Sequence, residues 1–257
     1  MSLFNDNLKK INIVQLLIII IALYVIVYVL DNFNISIGTG WISLALILYF
    51  AYKLKDYSDG FKEDVSNVFS VILFRKIVFI VVLNIFFSYG MLYLTDIIFN
   101  TFPNLNLLLG VYDSSMSIFS SLSLFGAFFS TVVLSSISEE LVFRGVFLSK
   151  LGLIVPTVYA VVISSLIFAS LHGVGSITSA FVFGICMAIL YLKSNNIVVP
   201  ILAHFLNNFL AEVIRIVDVD KILFTNMGVV SAVSLFAVIS AIILIFLIFK
   251  ELNNIKY

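Results

Sequence analysis

The sequence predicts an all-α fold, a polytopic membrane helix bundle with about eight transmembrane helices and an intramembrane polar site. Hydrophobic residues make up 62% of the 257 residues and charged residues 11%, whereas soluble domains have roughly 45–50% and about 25%. Apolar runs long enough to cross a bilayer recur along the whole chain. A few charged side chains interrupt them, although a charge at mid-span costs roughly 2.5–3.5 kcal/mol. Residues with that cost are expected to serve a purpose.

Eight segments have the composition of membrane spans: Ile11–Leu30, Ile37–Tyr52, Ile77–Leu94, Ile118–Ser149, Ile154–Leu171, Ile177–Leu192, Ile197–Val213 and Val229–Phe249. The fourth is too long for a plain span and is expected to continue as a tilted helix to near Leu151. The polar runs Lys53–Asn67 and Asn100–Asp113 are predicted loops, the first with an interfacial amphipathic helix. No repeat divides the chain, so residues 1–257 are expected to form one membrane domain.

The distribution of charge predicts the orientation of the chain. Twelve of the fourteen Lys and Arg residues fall on one side of these eight spans, and only Arg215 and Lys221 fall on the other. Because basic residues accumulate on the cytoplasmic side, both termini are predicted to be cytoplasmic in a multi-pass protein of the cell membrane. The net charge of zero gives no electrostatic basis for binding nucleic acid. The single cysteine, Cys186, lies in an apolar run and is predicted to be a buried packing thiol.

The segment Glu139-Glu140-Leu-Val-Phe-Arg144 is the first of three polar patterns. Residues four apart share a helix face, so Glu140 and Arg144 can form an ion pair. Glu139 lies about 100° around the helix and remains free to act as a base. The alternative is a purely structural ion pair at a cytoplasmic helix end, with Arg144 extending to the interface.

The other two patterns contain the only two histidines of the chain. Phe168-Ala-Ser-Leu-His172 closes the fifth predicted span, and His204-Phe-Leu-Asn207-Asn208 lies in the seventh, where His204 and Asn208 share a face. Taken alone, His172 is more simply a hydrogen-bonded histidine at a helix end. Interhelical hydrogen bonding is the simpler explanation of the other pattern.

Helix rise brings most of these residues to a similar depth. At ~1.5 Å per residue, Glu139 lies about 18 Å from a turn near Leu151, while His204 and Asn208 lie about 10 and 16 Å from the start of their helix. His172 comes out deeper, about 25 Å from its own helix start, unless Pro156 delays that helix. Together, two histidines and a carboxylate at similar depth favour a functional site over separate structural roles.

Two chemistries suit this set of residues. In one, His172, His204 and Glu139 hold a catalytic zinc ion with an open coordination position. In the other, Glu139 takes a proton from a water molecule that His172 orients, while His204 and Asn208 donate hydrogen bonds to the oxyanion. The metal-free chemistry is favoured because a His-Glu-x-x-His motif is missing and asparagine is a poor zinc ligand. No cofactor is firmly implied, and zinc remains the alternative.

These patterns resemble the type II CAAX prenyl endopeptidase family, also known as the CPBP or Abi family, of intramembrane proteases and bacteriocin-processing or self-immunity proteins. The family motifs Glu-Glu-x-x-x-Arg, Phe-x-x-x-His and His-x-x-x-Asn are all intact here and in order. They fall within a predicted catalytic core of residues 118–213. The preceding spans in residues 1–117 and the last span in residues 214–257 contain no recognisable motif.

The resemblance implies hydrolysis of a peptide bond within the membrane. By position, Glu139 would be the general base with His172 as its partner, and His204 and Asn208 would stabilise the oxyanion. Glu140 and Arg144 would support the site, and the family's frequent designation as metalloproteases keeps zinc open. The expected partners are a peptide or membrane-protein substrate and membrane lipid, in a bacterial plasma membrane.

Two other functions fit parts of the pattern. A non-catalytic scaffold or self-immunity protein would keep the same fold and bind a partner. A transporter would also need polar residues inside the membrane, but it is expected to show interrupted helices in two repeated halves. Here the polar residues fall in the fourth, fifth and seventh predicted spans, without a matching earlier set.

Overall fold

The computed structural model describes residues 3–35, 38, 40–102, 121–218 and 220–254, and within these ranges it contains helices and no strand. The predicted all-α membrane bundle is therefore confirmed. The first half contains helices α1 (Leu3–Leu8), α2 (Ile13–Asn32), α3 (Gly40–Leu54), α4 (Ser58–Val68) and α5 (Val71–Thr101). The second half contains α6 (121–151), α7 (Thr157–Ser170), α8 (Ile177–Ser194), α9 (Val198–Val217), α10 (Ile222–Thr225) and α11 (Met227–Asn253).

Six helical segments of the described residues are long and apolar enough to cross a membrane: Ile13–Asn32, Leu73–Thr101, Phe125–Leu151, Val174–Ser194, Val198–Val217 and Met227–Asn253. The other two predicted spans correspond to shorter helices, α3 with 15 residues and α7 with 14. At ~1.5 Å per residue these reach about 21–23 Å, less than the ~30 Å of a hydrocarbon core. Helix α7 is short because Pro156 precedes its first residue and the chain before a proline is disfavoured in helix.

The polar run Lys53–Asn67 is largely helical and not a loop. It contains the end of α3, a short 3₁₀ turn and most of α4. Asp64 and Val68 of α4 are buried, while most of its other residues are partly or fully exposed. A helix with a buried and an exposed side is therefore present in this run, and its position at the membrane interface stays a prediction. Most of the predicted loop Asn100–Asp113 and the predicted start of the fourth span at Ile118 lie outside the described residues.

Helix α6 is continuous but changes its winding twice. Two π-helical stretches, Ser130–Ser135 and Leu141–Leu148, flank the short α-helical segment Ser136–Glu140. A π-helical turn leaves backbone groups without their usual partners and often marks a functional site. The change in winding falls on both sides of Glu139 and Glu140, the residues that the sequence singles out, and the helix ends near Leu151 as predicted.

Helix α8 is the best-buried candidate span, with 61% of its most apolar window inside the protein. Its apolar side chains contribute to two clusters, one shared with α1, α2 and α3 and the other with α5, α9 and α11. Cys186 is buried in the second cluster. Helix α8 therefore connects the N-terminal helices to those that contain the motif residues.

A polar cluster fixes the start of α9. The side-chain amide of Asn5 donates to Asp64 at 2.7 Å, and its oxygen accepts from the backbone N–H of Ile197 at 3.0 Å. Asn196 donates to the backbone oxygen of Asp64 at 2.8 Å. All of these side chains are buried, so each hydrogen bond satisfies a group that water does not reach. The cluster ties α1 and α4 to the helix that contains His204.

Candidate functional site

Glu140 and Arg144 form a buried ion pair in the second part of α6. Arg144 Nη1 donates to Glu140 Oε1 at 2.9 Å, and the two side chains are 1% and 0% exposed. Charges at that depth are retained only with close partners, because desolvation costs several kcal/mol for each ion. The pairing follows from the four-residue spacing that the sequence shows.

Arg144 also joins three helices. Its Nη2 donates to the backbone oxygen of Gly184 in α8 at 3.1 Å. Its guanidinium lies 4.4 Å from the ring centre of Phe168 in α7, a cation–π distance. The sequence predicted only an ion pair within one helix for Arg144. In the structure its side chain also contacts α7 and α8 and so holds the three helices together.

His204 completes the buried cluster from α9. Its Nδ1 lies 2.8 Å from Glu140 Oε1, the oxygen that also accepts from Arg144. A carboxylate oxygen accepts hydrogen bonds, so we assign the proton to Nδ1. The opposite nitrogen, Nε2, is directed toward Glu139, 3.9 Å from its Oε2. Glu140 therefore orients His204 toward the second carboxylate.

Glu139 differs from Glu140 in its surroundings. Its side chain is 31% exposed, against 0% for Glu140. It makes no direct hydrogen bond among the described residues, and 3.9 Å from His204 is beyond hydrogen-bond distance. One water molecule can hydrogen-bond to both groups across that separation. Glu139 is therefore the carboxylate available for chemistry, while Glu140 is committed to the cluster.

His172 reaches the cluster through Phe168. It follows the end of α7, where its Nδ1 donates to the backbone oxygen of Phe168 at 3.0 Å and its ring packs 4.7 Å from the Phe168 ring. The Phe168 ring also contacts His204, and the two ring centres are 5.9 Å apart. Helix α7 begins at Thr157, after Pro156, which shortens the expected rise to His172 by about 3 Å.

Asn208 connects α9 to the first π-helical stretch of α6. Its side-chain nitrogen donates to the backbone oxygen of Thr131 at 3.0 Å and to Ser136 Oγ at 3.3 Å. Both hydrogens of the amide are thereby directed at α6. An oxyanion role would require one of these hydrogen bonds, most readily the longer one to Ser136, to be exchanged.

The structure adds residues to which the sequence did not assign a role. Phe183 packs against His204, with ring centres 5.4 Å apart. Asn84 of α5 donates to Asn207 Oδ1 at 2.9 Å, one turn from His204. Asn207 belongs to the third sequence pattern. Asn84 could have been identified from the sequence, because it is a polar residue inside a predicted span. The roles of Gly184 and Phe183 depend on contacts between helices and left no comparable signal.

The zinc alternative requires three ligands around one point. Within the described residues, no group of three His, Cys, Asp or Glu side chains is arranged to hold a metal ion. Nδ1 of His204 is directed at Glu140 and Nδ1 of His172 at a backbone oxygen, which leaves Nε2 of each ring as the nitrogen that a metal ion could bind. The set His172, His204 and Glu139 does not fit a zinc site in this arrangement.

Comparison with known proteins gives one match. Residues 121–210 match the family model described as type II CAAX prenyl endopeptidase Rce1-like. This segment extends from the first turn of α6 into α9 and includes all six candidate site residues. The resemblance is thus confirmed: this chain is a membrane protein in which residues 121–210 are similar to the type II CAAX prenyl endopeptidases. No match was found among curated proteins or among solved structures.

Proposed function

We propose that this protein is an intramembrane endopeptidase that hydrolyses a peptide bond in a peptide or membrane-protein substrate. The observation that carries the proposal is the arrangement of two adjacent glutamates. Glu140 is fully buried and holds His204 at 2.8 Å, while Glu139 is partly exposed and faces the free nitrogen of the same ring. A structural ion pair alone would need neither the second carboxylate nor the oriented histidine.

Glu139 is the general base in this proposal. It takes a proton from water as the water oxygen attacks the carbonyl carbon of the scissile bond. The same proton passes to the leaving nitrogen as the C–N bond breaks. Nδ1 of His172 donates to the Phe168 backbone oxygen, so Nε2 has a lone pair and accepts the second hydrogen of the water.

His204 and Asn208 stabilise the tetrahedral oxyanion. In this proposal both ring nitrogens of His204 hold hydrogens: Nδ1 donates to Glu140 at 2.8 Å, and Nε2 donates to the oxyanion. Asn208 gives up its longer hydrogen bond, the one to Ser136 Oγ at 3.3 Å, and donates that N–H to the oxyanion instead. Donors aimed at the developing charge supply about 2.7–4 kcal/mol each in other acyl-transfer enzymes. Arg144 keeps Glu140 in place and does not contact the substrate.

Peptidomics of cells that express the wild type or Glu139→Gln tests the proposal. We expect peptides that accumulate with the wild type to be lost in the variant, because glutamine keeps the shape of the side chain but cannot take the proton. Glu212→Gln is the matched control, since Glu212 lies in α9 and pairs with Arg215 away from the cluster. Equal cleavage by wild type and Glu139→Gln would show that the base is misassigned. Specific cleavage by neither protein would favour a scaffold or self-immunity function.

Metal content tests the metal-free mechanism separately. We expect the purified wild type to contain no stoichiometric zinc and to retain cleavage in the presence of chelator. One zinc ion per chain in the wild type that is lost in His172→Ala would instead favour the set of His172, His204 and Glu139 as ligands.

A further inference from the structure

A cavity of about 620 Å³ lies between α4, α5, α8 and α11, and none of the six candidate site residues lines it. Its volume is within the roughly 300–1,000 Å³ that is usual for small-molecule sites. The N-terminal end of α5 and the C-terminal ends of α8 and α11 meet at its mouth. By the distribution of basic residues this end of the bundle is the predicted cytoplasmic side.

The lining changes from charged to apolar with depth on α8 and α11, whereas on α5 the apolar Leu73 lies nearer the helix start than Lys76. Each helix supplies a charged residue at the mouth and an apolar residue about one turn deeper: Lys76 and Ile80 from α5, Lys193 and Ile189 from α8, and Glu251 and Leu247 from α11. One turn is about 5–6 Å, and Cys186 lies seven residues from Lys193, about 10 Å deeper. The cavity therefore has the polarity profile of the membrane interface, with room for an apolar chain below a polar head.

Two of the charges at the mouth lack partners. Lys193 forms an ion pair with Glu251, and Asp64 accepts a hydrogen bond from Asn5 at 2.7 Å. The side chains of Glu63 and Lys76 make no ion pair or hydrogen bond in the part of the chain that the structure describes. One carboxylate and one ammonium group are therefore open at the same mouth.

We propose that this cavity binds a zwitterionic phospholipid with a primary ammonium headgroup, such as phosphatidylethanolamine. The phosphate pairs with Lys76, the ammonium group with Glu63, and one acyl chain enters the apolar interior. An anionic phospholipid would leave Glu63 unpaired and add a negative charge near it. A quaternary ammonium has no N–H to donate and is usually bound by several aromatic rings. Among the residues that the structure describes, Phe79 is the single aromatic residue of the lining.

Native mass spectrometry of the full-length protein with added phosphatidylethanolamine, phosphatidylcholine or phosphatidylglycerol tests the proposal. We expect the first lipid to bind in preference to the other two. Lys76→Gln and Glu63→Gln are each expected to weaken its binding by about two- to fivefold, the range for a partly exposed charge contact. Lys62→Gln is the control, because Lys62 pairs with Asp59 outside the cavity. Unchanged binding in both variants, or equal binding of the three lipids, would overturn the proposal.

Photo-crosslinking of the wild type locates the acyl chain without any substitution. Phosphatidylethanolamine with a photoreactive group in one chain is expected to label the apolar lining of α5, α8 and α11. Labelling restricted to outward surfaces such as α2, of which 6% is buried, would show ordinary annular lipid and overturn the proposal. Neither experiment depends on peptide hydrolysis, so the lipid site and the proposed protease activity can fail independently.

Discussion

Replacing Glu140 with glutamine keeps the size of the side chain and removes its negative charge. Glu140 Oε1 accepts from Arg144 at 2.9 Å and from His204 at 2.8 Å, and all three side chains are at most 4% exposed. The glutamine amide oxygen can still accept hydrogen bonds at this position, but the buried guanidinium loses its counter-charge. We therefore expect a loss of stability that the adjacent Glu139→Gln does not cause.

The expected magnitude follows from the burial. Removing one partner of a buried pair costs about 3–5 kcal/mol, because the remaining charge is left uncompensated. With a shift of about 2–4 °C in Tm per kcal/mol for a chain of this size, the melting temperature of Glu140→Gln should fall by roughly 6–20 °C. Glu139 is 31% exposed and has no direct hydrogen bond, so Glu139→Gln should cost less than about 1 kcal/mol.

The single cysteine provides the assay. Cys186 is 6% exposed and lies deep in the lining of the cavity, so its reaction with a bulky thiol-reactive fluorophore should become faster when the helices separate. Heating purified protein in detergent with such a reagent gives a melting curve for each variant, with Glu139→Gln as the matched control. A shift of less than about 2 °C for Glu140→Gln, or equal shifts for both glutamates, would refute the buried-pair explanation.

A double-mutant cycle separates the pair from general packing. If Glu140 and Arg144 stabilise each other, Glu140→Gln combined with Arg144→Met should cost less than the sum of the single substitutions, by about 1–3 kcal/mol. Additive losses would mean that the two side chains contribute independently, through packing or through Gly184 and His204 alone.

The remaining predictions concern packing, chemistry and orientation. A Cβ on Gly90 would overlap Ala237 of α11. Gly90→Leu should therefore lower the melting temperature, through an overpacking cost of about 1–3 kcal/mol. Gly126→Ala should not lower it, because no described atom lies within 4 Å of the added Cβ. Asn208→Ala should lower kcat by about 10²–10³-fold with little change in KM, if its amide binds the oxyanion; a change in KM alone would contradict this. Lys221→Cys should react with a membrane-impermeant maleimide added to intact cells, whereas labelling only after lysis would reverse the predicted orientation.

The sequence predicted the class of fold because membrane insertion depends on the length and summed hydrophobicity of each segment, and both follow from the sequence alone. The length and apolar character of α2, α5 and α11 follow directly from composition, and six such segments are found in the described residues. The lengths of α3 and α7 were less predictable. An apolar stretch does not by itself specify where a helix begins, and for α7 that position is set by Pro156 in the structure.

One contact of the candidate site was predictable from the sequence, but the arrangement of its helices was not. The four-residue spacing of Glu140 and Arg144 was sufficient to predict their ion pair, because both lie on one helix. The hydrogen bond from His204 to Glu140 joins residues 64 apart and depends on how α6 and α9 pack. The depth calculation brought them near each other but could not state which glutamate the histidine contacts.

By itself, the sequence determined that the chain forms membrane helices and which polar side chains they contain, since hydrophobicity and motif spacing are local properties. The tertiary structure decided the division between two adjacent glutamates. Glu140 is fully buried, and its pairing with Arg144 and His204 offsets the desolvation of its charge. Glu139, 100° further around the same helix, keeps contact with the outside. Burial is a property of the packed bundle, and it distinguishes two residues that are identical and adjacent in the sequence.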